Sequence, residues 1–275
     1  TSMRPLSLKI EFSTNSRWPI TAIKIDNGGE SSSKYNFLGQ HSQLSLLNLA
    51  NRAEILSYDT YTHNPINAIE LLDKDKLVSC SDPILIHDKV KSTPLRKFEN
   101  LYVDHRGKRV NDIKVLSQNG LILSVDMDLR VWDLRQQNKY KPIQEFTNHS
   151  KGTLNSCDFN RNGVLISCAS SDGRLYNYDL RSNLLSIDDQ FGGRPITKVS
   201  YHHDEDTTPS DVVLMNVCGP CSMLFDTARQ VTVFQTGTTN HEEIYRIENL
   251  FLPANAGSHN PEFYCGSEPG RIYHY

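Results

Sequence analysis

One feature constrains this chain more than any other: a strand–turn–strand scheme that recurs along its whole length. The clearest unit, "TLNSCDFNRNGVLISCASSDGRLYNYDLRSN" from Thr153, reads as a strand, an Asn-Arg-Asn-Gly turn, a strand, a Ser-Asp-Gly turn and a third strand ending in Asp179. The unit from Val110, "VNDIKVLSQNGLILSVDMDLRVWDLRQQN", repeats this scheme and ends its third strand on Trp132-Asp133. "INAIELLDKDKLVSCSDPILIHDKV" from Ile66 does so again, closing on His87-Asp88. Later copies close on Phe225-Asp226 and on Tyr275, and a weaker first copy closes on Leu47-Asn48. The bulky position near the end of each third strand therefore falls at Leu47, His87, Trp132, Tyr178, Phe225 and Tyr275, in steps of 40, 45, 46, 47 and 50 residues. Short runs of Val, Ile, Leu, Tyr and Phe broken by Gly, Asp, Asn and Ser are the pattern of β-strands joined by tight turns, and helical periodicity is nearly absent.

A period in this range with four strands per unit resembles the WD40-repeat family. "LRVWDLR" (Leu129–Arg135) carries the resemblance most strongly, followed by "SSDGRLYNYDLR" (Ser170–Arg181), in which Tyr replaces Trp. The resemblance implies an all-β fold, a WD40-type β-propeller formed as a single domain over residues 1–275. Such a fold has a physical rationale. A four-stranded sheet cannot bury both faces alone, and packing sheets radially covers each face with a neighbour. Six blades are counted, with seven the commoner number in the family. The N-terminal run "LSLKIEF" (Leu6–Phe12) is expected to complete the last blade and close the ring. The resemblance further implies structural roles for a His before the first strand and an Asp in the second turn of a blade. The residues at such positions are His63, His149, His241, Asp82 and Asp172, together with the third-strand ends Trp132, Asp133, Tyr178 and Asp179.

Composition narrows the classes of function. Hydrophobic residues are 37% and charged residues 22%, enough apolar mass for a core, and a net charge of −3 gives no electrostatic case for direct nucleic-acid binding. No apolar run is long enough for a membrane span, and the N-terminus lacks the apolar centre of a signal peptide; Thr1-Ser2 before Met3 reads as a cloning remnant. Six scattered cysteines suit buried free thiols, hence a reducing compartment, nuclear or cytoplasmic. The stretch "CGPC" (Cys218–Cys221) matches a thioredoxin-type site. Such a site needs a helix starting at the motif, whereas "SMLFDTAR" follows with a strand pattern, so the expectation is a hairpin corner. No metal, cofactor or catalytic constellation is expected.

What remains is binding through loops. The basic stretch "HRGKR" offers His105, Arg106, Lys108 and Arg109 on the upper rim, with Arg96 and Lys97 upstream, where an acidic or phosphorylated peptide is an expected ligand. The consecutive boxes "WDLR" and "YDLR" place Arg135 and Arg181 two residues after Asp133 and Asp179. Paired Asp-x-Arg boxes resemble those of propellers that recruit substrates to cullin-4 ubiquitin ligases, and either arginine can instead pair locally with its Asp. The longest loops, 26–34, 202–211 and 253–261, are polar and suit partner contacts. A softer resemblance, resting on "LRVWDLRQQNKYKPIQEF", "INAIELLDKDKLVSCSDPILIHD" and "FYCGSEPGRIYHY", is to the small propeller nucleoporins of the nuclear pore's Y-shaped outer ring. It implies a non-enzymatic scaffold whose partners are protein subunits of a larger complex. A subunit of a chromatin or RNA-processing complex is a further alternative.

Overall fold

The structure, a computed structural model, describes residues 20–26, 35–48, 53–98, 109–136, 141–147, 149–202, 211–219, 221–236, 249–251, 263–266 and 272–274. All regular structure among them is β. In chain order the strands form antiparallel sheets of sequential neighbours. The first sheet holds β1 (Ile20–Ile25), β2 (Tyr35–Gln40), β3 (Gln43–Asn48) and β4 (Ala53–Tyr58). The second holds β5 (Ala68–Leu71), β6 (Lys76–Cys80), β7 (Ile84–Asp88) and β8 (Pro94–Phe98). The third holds β9 (Asp112–Leu116), β10 (Leu121–Val125), β11 (Leu129–Asp133) and β12 (Gln144–Phe146). The fourth holds β13 (Leu154–Phe159), β14 (Leu165–Ser170), β15 (Leu175–Asp179) and β16 (Leu184–Asp188). The fifth holds β17 (Ile196–Tyr201), β18 (Val212–Val217), β19 (Cys221–Asp226) and β20 (Val231–Gln235). The sixth has three described strands, β21 (Asn249–Phe251), β22 (Phe263–Gly266) and β23 (Ile272–His274). Five four-stranded antiparallel sheets in sequence order are the blade architecture that the repeat predicts. The N-terminal run Leu6–Phe12, expected to close the last blade, lies outside the described residues.

The columns read from sequence are columns of register. Leu47 pairs with Asn36, His87 with Leu77, Trp132 with Ile122, Tyr178 with Ile166 and Phe225 with Val213, in each case the second residue of the second strand. A register shift between third and fourth strands falls at this same position in four sheets, at Leu46/Leu47, Ile86/His87, Asn177/Tyr178 and Leu224/Phe225. A bulge there adds local twist and turns the outer strand away from the plane of its neighbours. The second strands are the most deeply covered; β10 is buried at every residue, and β14 and β18 at all but their first. The fourth strands are the most open: β16 alternates, β20 is exposed at every residue, and Ile55, Leu95, Leu185 and Ile187 face solvent.

The chain divides into two compact units, one within Ser13–Glu145 and one built on Phe146–Tyr275. In the first unit, apolar clusters join consecutive sheets. Phe37, Leu44 and Tyr58 pack on Ile66, Ile69 and Leu77, and Val78, Ile84, Ile86 and Phe98 pack on Ile113, Ile122 and Trp132. An aromatic pair marks each junction: Tyr58 against His87 at 5.4 Å and Phe98 against Trp132 at 5.6 Å between ring centroids. In the second unit, Ala169, Leu175 and Phe191 pack on Ile196, Val199, Met215 and Phe225. Ring pairs recur there as Phe146–Tyr178, Phe191–Phe225 and Phe234–Phe263. Each fully buried Leu, Ile, Val or Phe contributes about 1.5–3 kcal/mol, so these seams are where the stability resides.

Candidate interaction surface

In four sheets the turn after the third strand is built by one device. The aspartate that closes β7, β11, β15 or β19 accepts a backbone N–H from two residues on: Val90 to Asp88 at 2.9 Å, Arg135 to Asp133 at 2.8 Å, Arg181 to Asp179 at 2.7 Å and Ala228 to Asp226 at 3.0 Å. This Asx turn lets the chain reverse into the fourth strand without leaving an amide unpaired. A cation follows in all four sheets, and its side chain returns to the same aspartate: Lys91, Arg135, Arg181 and Arg229.

Arg135 and Arg181 do this with two parallel hydrogen bonds. Arg135 donates from Nε to Asp133 Oδ1 at 2.9 Å and from Nη2 to Oδ2 at 2.8 Å. Arg181 donates to Asp179 in the same way at 3.1 and 2.9 Å. The hydrogen bonds from each arginine hold the Asp133 and Asp179 carboxyls below the usual carboxylate range. Both arginine side chains stay about three-quarters exposed, at 75% and 74%. The guanidinium plane is thus oriented by its own aspartate while its outer edge faces solvent. An arginine whose fork is already ordered loses less side-chain freedom on docking. One such box lies in each unit. Both arginines stand out in the sequence, and the geometry realises the local pairing expected as one alternative; the further copy, Asp226–Arg229, does not stand out because Thr227 and Ala228 lengthen the spacing by one.

The basic stretch 105–109 is described only at Arg109, which is exposed and donates to Asn64 Oδ1 at 3.3 Å. His105, Arg106 and Lys108 lie outside the described residues. Arg96, read as part of that basic group, is committed elsewhere: it donates to the Leu134 and Gln136 carbonyls and lies 4.5 Å over the Phe98 ring. Asp172 anchors the second turn of the fourth sheet, accepting from Tyr176 Oη at 2.7 Å and from the amides of Lys151 and Arg174 at 3.2 and 3.1 Å. Burial raises its carboxyl, and these bonds, led by Tyr176, bring it below the usual range. The His149 ring stacks on Tyr178 at 5.6 Å, and its Nδ1 has no partner among the described residues. His63 is exposed in the bend before β5, Asp82 is half-buried in the turn between β6 and β7, and His241 lies outside the described residues. Of the long loops, 27–34, 203–210 and 252–262 likewise fall outside them.

The Cys-Gly-Pro-Cys stretch is a hairpin corner. Val217 pairs with Cys221, which begins the strand β19, and no helix starts there. Gly219 has φ of 112°, a conformation that disfavours any side chain, and Arg194 packs over it. Cys80, Cys157 and Cys168 are buried and Cys218 is half-buried, none of them in a disulfide.

Two charge clusters escaped the sequence reading. Arg130, only 5% exposed on β11, donates from Nη1 to both Asp126 oxygens at 2.6 Å, from Nη2 to Asp128 at 3.3 Å and from Nε to Glu145 at 2.7 Å. Glu70 on β5 lies between Lys24 of β1 and Lys114 of β9, at 2.9 Å from the latter, and so clasps the first strands of three consecutive sheets. Both are alternation positions occupied by charge, which the pattern alone assigns to solvent.

Residues 140–179 match the family model described as WD domain, G-beta repeat. No curated protein matches the chain. Folds of this kind typically mediate protein–protein contacts rather than catalysis. The chain thus carries a WD40 repeat, and its series of sheets, each built on the same sequential antiparallel scheme, fits the blade architecture of a WD40 propeller.

Proposed function

We propose that the chain is a non-enzymatic scaffold, nuclear or cytoplasmic, that binds protein subunits of a larger assembly through the turns that follow its third strands. The observation that carries this is the oriented, solvent-facing arginine fork of Arg135 and Arg181, each supported by the aspartate that closes its strand. Such groups suit carboxylate or carbonyl acceptors on a partner protein. The sequence resemblances nominate the outer ring of the nuclear pore as the assembly. Recruitment to a cullin-type ubiquitin ligase is the second reading, favoured by the equivalent geometry of the two Asp-x-Arg boxes.

Arg135→Ala combined with Arg181→Ala tests the surface. Both side chains are exposed and their pairs are local, so the denaturation midpoint stays at the wild-type value. Binding of the co-purifying partner weakens at least about tenfold, because each lost charge-assisted contact costs on the order of a kcal/mol or more. Partner binding at wild-type affinity in the double variant contradicts the proposal. The identity of the proteins recovered in stoichiometric amount by mass spectrometry separates the readings: outer-ring nucleoporins support the first, and a cullin with its propeller adaptor supports the second.

A further inference from the structure

His87 occupies the place that tryptophan fills in the following sheet. His87 Nε2 lies 2.9 Å from Ser79 Oγ, eight residues earlier on β6, and Trp132 Nε1 donates to Ser124 Oγ at 2.8 Å, also eight residues earlier. The registers coincide, His87 opposite Leu77 and Trp132 opposite Ile122. Each ring meets an aromatic from the end of the preceding sheet's fourth strand, Tyr58 or Phe98. The difference is chemical. An indole cannot take up a proton at neutral or mildly acidic pH, and an imidazole can.

The His87 ring is fully buried, at 0% exposure, and its Nδ1 has no hydrogen-bond partner among the described residues. With Nδ1 unprotonated, Nε2–H donates to Ser79 Oγ and reproduces the tryptophan bond. A proton added at Nδ1 creates a buried N–H and a full charge with nothing among the described residues to receive either. The titratable and charged groups nearby do not compensate. From β4, Tyr58 presents its ring while its hydroxyl donates to the Lys89 carbonyl at 2.8 Å, and burial holds that phenol protonated. From the turn after β7, Asp88 is engaged with the Val90 amide and Lys91, and Lys89 pairs with Asp26 of the first sheet. From β6 and β8 the facing residues are Leu77, Ser79 and Pro94, none of them charged. Consistent with this, burial lowers the His87 imidazole to about 4.

We propose that His87 is a proton-sensitive latch in the seam between the first and second sheets, closed when neutral and released when it takes up a proton, so that this seam opens in mild acid before the Phe98–Trp132 seam beside it. The sign follows from linkage. The open form protonates at the ordinary histidine value and the closed form only well below it, so closure is complete above about pH 6.5 and weakens as pH falls toward about 4.

Hydrogen–deuterium exchange of the intact chain at about pH 7 and about pH 5, expressed as protection factors, reads the latch directly. The opening constant for β6 and β7 amides is expected to rise about twentyfold between these conditions, with β10 and β11 changing far less. In His87→Phe the rise disappears. No rise in the wild type, or an equal rise in the variant, overturns the proposal. If His87→Phe does not fold, NMR titration of the wild-type imidazole decides: a midpoint below about 5 supports the latch and one near 6.5 overturns it.

Discussion

Replacing Trp132 with alanine is expected to destabilise the chain by about 3–5 kcal/mol, the range for deleting a large buried aromatic. The ring is 3% exposed, packs on Phe98 and sits in the apolar cluster between the second and third sheets. Three terms act together: lost apolar burial, a cavity bounded by well-packed neighbours, and a Ser124 hydroxyl stripped of its donor. Trp132→Phe separates them, because it keeps the ring contact and removes only the Nε1 bond; about 1–2 kcal/mol is expected. Equilibrium denaturation in urea measures both. A Trp132→Ala loss below about 1 kcal/mol is incompatible with the packing described.

The second large effect is electrostatic. Glu70 is mostly buried between Lys24 and Lys114; burial raises its carboxyl, and the two ammonium groups outweigh burial and bring it down to about 2. The unfolded chain takes up this proton near the ordinary glutamate value, so it binds more protons than the folded chain between that value and about 2. The clasp's contribution is therefore complete above about pH 4.5 and is lost as pH falls toward 2, in total about 3 kcal/mol. Glu70→Gln keeps the shape and removes the charge, leaving two part-buried lysines unneutralised, at a cost of about 3 kcal/mol near neutral pH. Thermal melts between about pH 6 and pH 3 check both points: the wild type loses stability with acid, and the variant starts lower with a flatter profile in this window. Parallel profiles would show that Glu70 is not the group responsible. The window lies below that of His87, so the two titrations are separable.

How much of this was legible in the sequence depends on the range of the interaction. Turn chemistry and strand alternation are local, and the repeat therefore gave the sheets, their order and even the register column of His87, Trp132, Tyr178 and Phe225. The Asp-x-Arg forks are also local, closing over two residues, and were anticipated as self-pairing. Glu70 was not, because Lys24 and Lys114 come from other sheets, 46 and 44 residues away. Arg130 was missed for a related reason: one of its partners, Glu145, lies on the fourth strand, and a charge in an alternating run reads as solvent-facing until its partners are placed. His63 shows a different limit. Standing before a first strand fixes a sequence position but not burial, and the ring is exposed. His87 stands in the same bulky column as Trp132, and only its buried ring, with Nδ1 unpartnered among the described residues, shows what an imidazole brings there.

Central to the fold is the face-to-face packing of consecutive sheets within a unit; in the first unit each such seam joins one ring from a fourth strand to one from the next sheet's third strand, Tyr58 to His87 and Phe98 to Trp132. A double-mutant cycle on Phe98→Leu and Trp132→Leu, followed by urea denaturation, measures that lock. A coupling energy of about 0.5–1.5 kcal/mol between the two positions is predicted. Strict additivity, with each substitution costing the same in the presence or absence of the other, would mean that the second and third sheets do not meet through these rings.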